Sequence, residues 1–289
     1  MSGELLPAGP SLTAVGHHGP VSQDPLDLLA LAVAAADLGG RYLLAGQHLA
    51  RQVDAKSSAT DVVTQMDTAS EAMIVEQLLA ARPMDAILGE EAGERPGTSG
   101  VRWIIDPLDG TVNYLYGLPL WAVSVAAEDP SGVVAGAVAV PALGTTYAAA
   151  RHGGAWCLVA GQRREIAVRQ CSNVASALVA TGFGYRPQRR AAQGAALAGV
   201  IAQVRDVRRC GAAALDLCWL AAGHYDAYFE RGLQPWDAAA GTLIAREAGA
   251  VVTGAVSAEP DGEFLIGAGP QIHADLRAIL LAAGAHLGY

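Results

Sequence analysis

The stretch Trp103-Ile104-Ile105-Asp106-Pro107-Leu108-Asp109-Gly110-Thr111-Val112-Asn113-Tyr114 constrains this chain more than any other. An apolar strand runs into two closely spaced aspartates, then a glycine and a hydroxyl. Pro107 has no amide hydrogen to give a sheet, so the strand is expected to end at Asp106 and bend away. Gly110 permits a tight turn, and Thr111 opens a short helix whose first amides favour an anion. Two carboxylates beside such a helix start repel one another unless a cation lies between them. Hard divalent ions such as Mg2+ take oxygen ligands of this type and usually hold substrate phosphate as well. The local reading is a strand-turn-helix unit carrying a metal-dependent phosphate site.

The rest of the chain leaves room to build such a site. With 289 residues, 52% hydrophobic and 16% charged, it supports a large core in one domain or two joined halves and excludes global disorder. A net charge of −9 argues against direct nucleic-acid binding through a basic surface. A phosphate site must then draw its positive charge from local groups, and metal ions supply it. Cys157, Cys171, Cys210 and Cys218 form no C-x-x-C pair and no zinc spacing, so they read as reduced, buried thiols of a cytoplasmic protein. Residues 1–24 are rich in Gly, Pro, Ser and His and lack a basic start followed by an apolar stretch. They read as a flexible tail rather than a secretory signal, with His17-His18 solvated. Leu28 to Leu44 is apolar but interrupted by Asp37 and Arg41, which predicts a core helix and no membrane span.

Asp24-Pro25 is a helix start, Asp24 as N-cap, with Leu28, Leu31, Ala35 and Leu38 recurring at helical spacing. A second helix is expected over Thr68–Ala81, with Asp67 just before it. Strands are expected at Ala86–Leu88, Val101–Asp106, Ala122–Ala127, Val133–Val140, Tyr147–Ala150 and Trp156–Val159, and Glu94–Gly100 as a loop. The second half alternates a strand at Leu178–Thr181, helices at Gln188–Val204 and Ala212–Ala222, a strand at Ala227–Glu230 and a helix at Trp236–Ala248. Short strands at Val251–Val252 and Phe264–Ala268 precede a closing helix, Gln271–Ala283. Mixed elements of this kind predict layered α and β structure.

Five motifs, in order, resemble those of the inositol monophosphatase family. D-P-L-D-G-T-x-N-Y at Asp106–Tyr114 is similar to its central motif. Lys56-Ser57-Ser58 with Asp61-Val62-Val63-Thr64 and Asp67 resembles its N-terminal segment, and Gly89-Glu90-Glu91 its G-E-E loop. Gly211-Ala212-Ala213-Ala214-Leu215-Asp216 resembles its G-[ST]-A-A-x-[DN] segment, and Trp236-Asp237-Ala238-Ala239-Ala240-Gly241 its W-D-x-A-A-G. The resemblance implies an α-β-α-β-α sandwich of the inositol monophosphatase and fructose-bisphosphatase type over residues 25–289. Its metal-site half would cover about 25–170 and its pocket-completing half about 171–289.

The resemblance also implies roles. Glu90, Asp106 and the Leu108 carbonyl would hold one Mg2+. Asp106 would bridge to a second held by Asp109 and Asp237, and Glu90 would share a weaker third, giving two to three ions per subunit. Thr111 would hold the attacking water, hydrogen-bonded to Asp67 in a general-base relay. Gly110 and Thr111 amides would bind phosphate oxygens, and Lys56 would approach from a mobile segment. Tyr228-Phe229-Glu230-Arg231-Gly232 resembles the family's Y-[YF]-E-x-G, with Glu230 on ring hydroxyls and Gly211 and Ala213 lining the ring pocket; Asp109 and Asp237 also face substrate. The implied activity is hydrolysis of myo-inositol 1-phosphate or a related polyol phosphate by a Li+-sensitive homodimer.

Taken singly, each residue has a plainer reading. Asp67 and Asp237 read as helix caps, Glu90-Glu91 as a solvated loop pair, Thr111 as a turn hydroxyl, and Glu230 as half of an ion pair. Arg208 and Arg209 suit a subunit contact as well as a substrate contact. Ala212 replaces the family's Ser or Thr, Ala142-Leu143 follow Pro141 where an acid is usual, and Ala160-Gly161 stands for Asn-Gly in a hairpin. Histidinol phosphate, a sugar phosphate or a nucleotide 3′-phosphate are alternative substrates. The lack of a basic cluster in the pocket segments disfavours bisphosphorylated nucleotides. A non-catalytic role with transcription machinery is a further alternative.

Overall fold

The computed structural model describes residues 23–49, 53–58 and 61–287, with the backbone alone at 49, 53–58 and 61–64. The expected tail, up to residue 22, and the side chain of Lys56 lie outside the described residues.

The first half contains α1 (Pro25–Gly46), a hairpin of β1 (Val53–Ser58) and β2 (Asp61–Thr64), and α2 (Gln65–Ala81). Eight strands follow: β3 (Ala86–Gly89), β4 (Gly93–Arg95), β5 (Arg102–Asp109), β6 (Ala122–Asp129), β7 (Gly132–Val140), β8 (Thr145–Ala150), β9 (Ala155–Val159) and β10 (Gln162–Glu165), with the short α3 (Thr111–Leu115) after β5. The second half holds β11 (Leu178–Thr181), α4 (Pro187–Ile201), β12 (Asp206–Arg208), α5 (Ala213–Ala221), β13 (Ala227–Arg231), α6 (Pro235–Glu247), β14 (Val251–Thr253), β15 (Phe264–Ala268) and α7 (His273–Ala282).

One sheet of eight strands has the order β10-β9-β8-β7-β6-β5-β3-β4, and one of five has the order β12-β11-β13-β15-β14. Only β3–β5 in the first sheet is parallel; in the second, β11 pairs parallel with both β12 and β13. Helices α1 and α2 pack on one face of the large sheet. Between the sheets, α5 and α6 pack side by side, α6 mainly on the large sheet and α5 on both. Helices α4 and α7 pack together, and α7 covers the far face of the small sheet. Three separate apolar cores fill the spaces between these layers, so the expected α-β-α-β-α sandwich is the observed architecture.

Local chemistry explains the layers. Asp24 caps α1 by accepting from the Leu26 amide at 2.8 Å. Leu28, Ala32, Ala35, Ala36, Gly39 and Leu43 bury one side of α1 at helical spacing. The helix is long and apolar enough by composition to cross a bilayer, but here that apolar side packs against α2 and the sheet. Helix α5 is buried nearly all round, as a helix between two sheets must be.

Three expectations need correction. Helix α2 begins at Gln65, not Thr68, because β2 runs into it without a linker, so Asp67 lies in its first turn rather than before it. Strand β5 does not stop at Asp106: pairing with β6 skips from Asp106 to Asp109, and this bulge absorbs the missing Pro107 amide. The Glu94–Gly100 loop begins inside the edge strand β4.

The β9–β10 turn contains Ala160 at φ 49° and Gly161 at φ 77°. This pair of left-handed residues is what a two-residue hairpin needs, and Asn suits the first position far better than Ala. Ala160→Asn is expected to stabilise the protein by about 0.5–1 kcal/mol, read as a higher denaturant midpoint; an unchanged or lower midpoint would contradict the turn's role.

Candidate active site

The turn after β5 is built by tertiary contacts. Gly110 has φ 87°, and a Cβ there would stand 3.0 Å from the Leu120 carbonyl and 3.1 Å from Ala212 Cβ. Only glycine meets both demands. Asn113 Nδ2 donates to Leu120 O (2.5 Å) and Cys210 O (2.8 Å), which ties α3 to the segment entering α5.

A cavity of about 440 Å3 opens here, lined by Glu90, Asp106, Leu108, Asp109, Gly110, Thr111, Gly211, Ala213, Glu230 and Asp237 among others. Among the described residues, the structure thus brings together every sequence-predicted site residue except Asp67. A larger cavity of about 720 Å3 lies along α6, lined by residues of both sheets. Several of its charged residues are already paired, as in Arg246 with Glu259 and Arg151 with Asp129. The smaller cavity concentrates carboxylates of one sign and is the candidate site.

Each aspartate is held by backbone amides. Asp106 accepts from the Leu108 amide at 3.0 Å. Asp109 accepts from Ala213 (3.0 Å), Ala214 (2.8 Å) and Leu215 (3.4 Å). It therefore caps α5, where Ala212 offers no hydroxyl. Asp237 is the third residue of α6, not its N-cap: its carboxylate takes the Gln234 amide at 2.7 Å in a capping box. Glu230 accepts the Tyr228 hydroxyl at 2.5 Å, and a Cβ at Gly182 would collide with the Glu230 carboxylate. No ion pair to Glu230 forms among the described residues.

The relay expected between Thr111 and Asp67 is not the observed one. The Thr111 hydroxyl donates to the Leu108 carbonyl at 3.1 Å. Asp67 is buried on α2, where its charge acts on Tyr114. It does not line the cavity. The sequence missed Glu71, one helical turn beyond Asp67 and also buried. Its carboxylate accepts the Glu91 amide at 2.9 Å and the Ala92 amide at 2.7 Å, which shapes the loop carrying Glu90. An acid on the same helical face as buried Ile74 and Leu78 was the available signal. The sequence expectation of no basic cluster in the pocket is also overturned: Arg189, Arg209 and Arg231 line the cavity.

Burial and mutual repulsion govern the charge states. Asp106 is pushed well above the usual carboxylate range by burial, then by Glu90, Asp109 and Asp237. Burial raises Asp109 to about 7 against the pull of its three amides. Asp237 is raised well above its ordinary value by burial and Asp109. Glu230 is raised by burial, partly offset by the Tyr228 hydroxyl, Arg209 and Arg189. Among the described residues, no three His, Cys, Asp or Glu side chains are gathered closely enough to form a ligand shell on their own; the aspartates instead point oxygens at amides. The donor set is hard oxygen of one charge, and its mutual repulsion is what a divalent cation relieves. The residues present therefore fit such an ion.

Residues 24–284 match the sequence model of the Inositol monophosphatase family, and the chain belongs to that family of phosphatases. The inositol-1-monophosphatase SuhB of Mycobacterium tuberculosis is 46% identical over 234 residues, which are 79% of this chain and 81% of that protein. A Vibrio cholerae protein named Nus factor SuhB is 37% identical over 229 residues, 78% of this chain and 84% of that protein. The crystal structure of the extragenic suppressor protein SuhB from Bartonella henselae superposes with a TM-score of 0.82 at 36% identity, covering 88% of this chain and 98% of that one.

Proposed function

We propose that this chain is a Mg2+-dependent phosphomonoesterase that hydrolyses myo-inositol 1-phosphate, or a closely related polyol phosphate, to the free alcohol and phosphate. The observation that carries this reading is the convergence of Glu90, Asp106, Asp109 and Asp237 on one cavity with the Thr111 hydroxyl and Glu230. Glu90, Asp106 and the Leu108 carbonyl would hold one ion, and Asp106, Asp109 and Asp237 a second. When bound, such ions acidify water and neutralise charge on the phosphoryl oxygens.

The chain's own residues do the rest. Thr111 donates its hydroxyl hydrogen bond to the Leu108 carbonyl, which leaves its oxygen lone pairs to accept a hydrogen bond from the attacking water. Glu90 takes the proton of that water. Gly110 and Thr111 present backbone amides to phosphate oxygens. Glu230 accepts hydrogen bonds from ring hydroxyls, while Gly211 and Ala213 leave space for the ring. Homodimer formation, Li+ inhibition and a cytoplasmic setting belong to the same reading.

Phosphate release from a panel of phosphomonoesters, with Mg2+ and with added Li+, tests it. The reading expects myo-inositol 1-phosphate to be favoured and Li+ to inhibit. Equal rates on histidinol phosphate, sugar phosphates and nucleotide 3′-phosphates would keep the chemistry and reject the substrate. Glu71→Ala is expected to destabilise by about 2–3 kcal/mol, because two amides lose a charged acceptor. It should also slow phosphate release about tenfold by loosening the Glu90 loop. A thermal melt and initial rates check both, and wild-type rates would remove Glu71 from the account.

A second reading is a role with transcription machinery, favoured by the Vibrio cholerae relative's name. With a net charge of −9, it would act through protein partners rather than by direct nucleic-acid affinity. Partners retained by Asp106→Asn in a pull-down would support it; loss of every partner at physiological salt would sink it.

A further inference from the structure

The segment that enters α5 forms one wall of the candidate cavity. Gly211 and Ala213 line that cavity. Gly211 has φ 88°, and its carbonyl oxygen stands 3.3 Å from where a Cβ on Gly110 would be. The wall therefore lies against the turn that presents Thr111. Two ordinary means of fixing such a segment are missing. Strand β12 has already ended at Arg208, and Ala212, the N-cap of α5, makes no side-chain cap bond. Cys210 carries the anchoring instead. Its carbonyl accepts Asn113 Nδ2 at 2.8 Å, and its Sγ is 2.9 Å from the Tyr225 hydroxyl.

The fold fixes Tyr225 for this contact. It lies in the turn between α5 and β13 and is buried. Its amide donates to the Trp219 carbonyl at 3.4 Å, and its ring meets the Trp219 ring edge-on with centroids 5.6 Å apart. Trp219 belongs to α5, so Tyr225 ties the end of that helix back to the segment before its start. Asp216, three residues before Trp219 on the same side of α5, is wholly buried, and neither of its oxygens is hydrogen-bonded among the described residues. The hydroxyl's bond goes to the thiol. A phenol is a stronger donor than a thiol, and burial raises both groups above their ordinary values, so both keep their protons at neutral pH. Of the four cysteines, Cys210 alone is not buried, which makes its thiol a chemical reporter on the wall.

We propose that Tyr225 is a positioning residue for the alcohol half of the substrate: through Cys210, its hydroxyl holds Gly211 where that residue lines the ring pocket. This rests on the phosphatase reading of the same cavity. Tyr225 does not itself line the cavity and touches no reacting atom. The three amides that hold Asp109 belong to α5, a helix packed nearly all round, so they stay in place when the entering segment loosens. Loss of the Tyr225 hydroxyl therefore weakens substrate binding more than turnover.

The test measures initial rates on myo-inositol 1-phosphate at saturating Mg2+ for wild type, Tyr225→Phe, Cys210→Ala, Cys210→Ser and the double variant Tyr225→Phe/Cys210→Ala, once circular dichroism confirms folding. Tyr225→Phe and Cys210→Ala should each raise KM about fivefold, the scale of one ordinary hydrogen bond, with kcat changed by less than about twofold. The double variant should match the single ones rather than multiply their effects, because both remove the same contact. Cys210→Ser keeps a hydroxyl partner and should recover most of the wild-type KM. Iodoacetamide labelling of Cys210, followed by mass spectrometry, should be faster in Tyr225→Phe than in wild type, and the ester should slow it in both. Unchanged KM in both single variants, or multiplied effects in the double one, would overturn this inference while leaving the phosphatase reading intact. If wild type releases no phosphate, the phosphatase reading fails by itself. The ester concentration that half-protects Cys210 in the Mg2+-loaded protein then decides the inference: a value about fivefold higher in Tyr225→Phe supports it, and equal protection, or none, refutes it.

Discussion

Asp106→Asn is expected to lower turnover by at least ~10²-fold while leaving the fold intact, because one lost element of an electrostatic clamp typically costs that much. Asp106 is 1% exposed and is the carboxylate on which Glu90, Asp109 and Asp237 all act. Asparagine keeps the shape and still offers an oxygen to the Leu108 amide, now 3.0 Å from Asp106 Oδ1. It removes only the charge that a cation would meet. Removing a buried, repelled charge should leave the chelated protein at least as stable as wild type. Loss of activity together with an unchanged or raised melting temperature is therefore the expected pair of results. Wild-type turnover in the folded variant would remove Asp106 from the metal set.

The second large effect is a dependence of stability on pH that Mg2+ should reverse. Asp109 is raised by burial from 3.8 to about 7 in the folded chain. A group whose folded pKa is raised contributes its full stabilisation below the unfolded value and loses it as pH rises through the folded value. The chelated protein should therefore lose stability between about pH 4 and pH 7. Asp106 and Asp237 are raised too and act in the same direction. Asp109 alone corresponds to an upper bound on the order of 4 kcal/mol. For a chain this long that is roughly 5–10 °C in melting temperature between pH 5 and pH 8. Asp129, Asp206 and Asp261 are lowered by hydrogen bonds, so their stabilisation is lost only in stronger acid. Burial lowers His273, which offsets a part of the trend as pH falls below its ordinary range. Mg2+ at pH 8 should restore the melting temperature, since a cation favours the ionised carboxylates. A chelated protein whose melting temperature is flat or rises over this range, with no response to Mg2+, would contradict the electrostatic account.

The sequence revealed most where signals were local. Leu178–Thr181 and Phe264–Ala268 are observed with the expected bounds, because short apolar runs between turn residues have few other solutions. The acidic end of the cavity was legible because Asp106 and Asp109 share one strand end and the other motifs follow in family order. Of the edge strands of the two larger sheets, β4, β10 and β12 were not legible, whereas β14 was. Gln162–Glu165 is exposed at every position, so no apolar alternation marks it, and β12 begins at Asp206, beyond the helix expected to run to Val204, with only Val207 partly covered. Tertiary placements were equally hidden. The Glu71 contacts to Glu91 and Ala92 cross from α2 to a distant loop. The Asp109 cap on α5 spans 104 to 106 positions. Arg189 on α4 and Arg209 after β12 are connected by no spacing rule, and only the folded chain brings them to the same cavity as Glu230. Thr111 shows the same limit at short range: its partner is Leu108, three residues back, rather than Asp67 on another helix.

The most direct test of the central claim is release of inorganic phosphate from myo-inositol 1-phosphate across a Mg2+ titration, starting from chelator-treated protein, in wild type and Asp237→Asn. No release is expected without the ion, saturable release with it in wild type, and a loss of at least ~10²-fold in the variant. Release independent of Mg2+, or equal release by the variant at the same Mg2+ concentration, would contradict it.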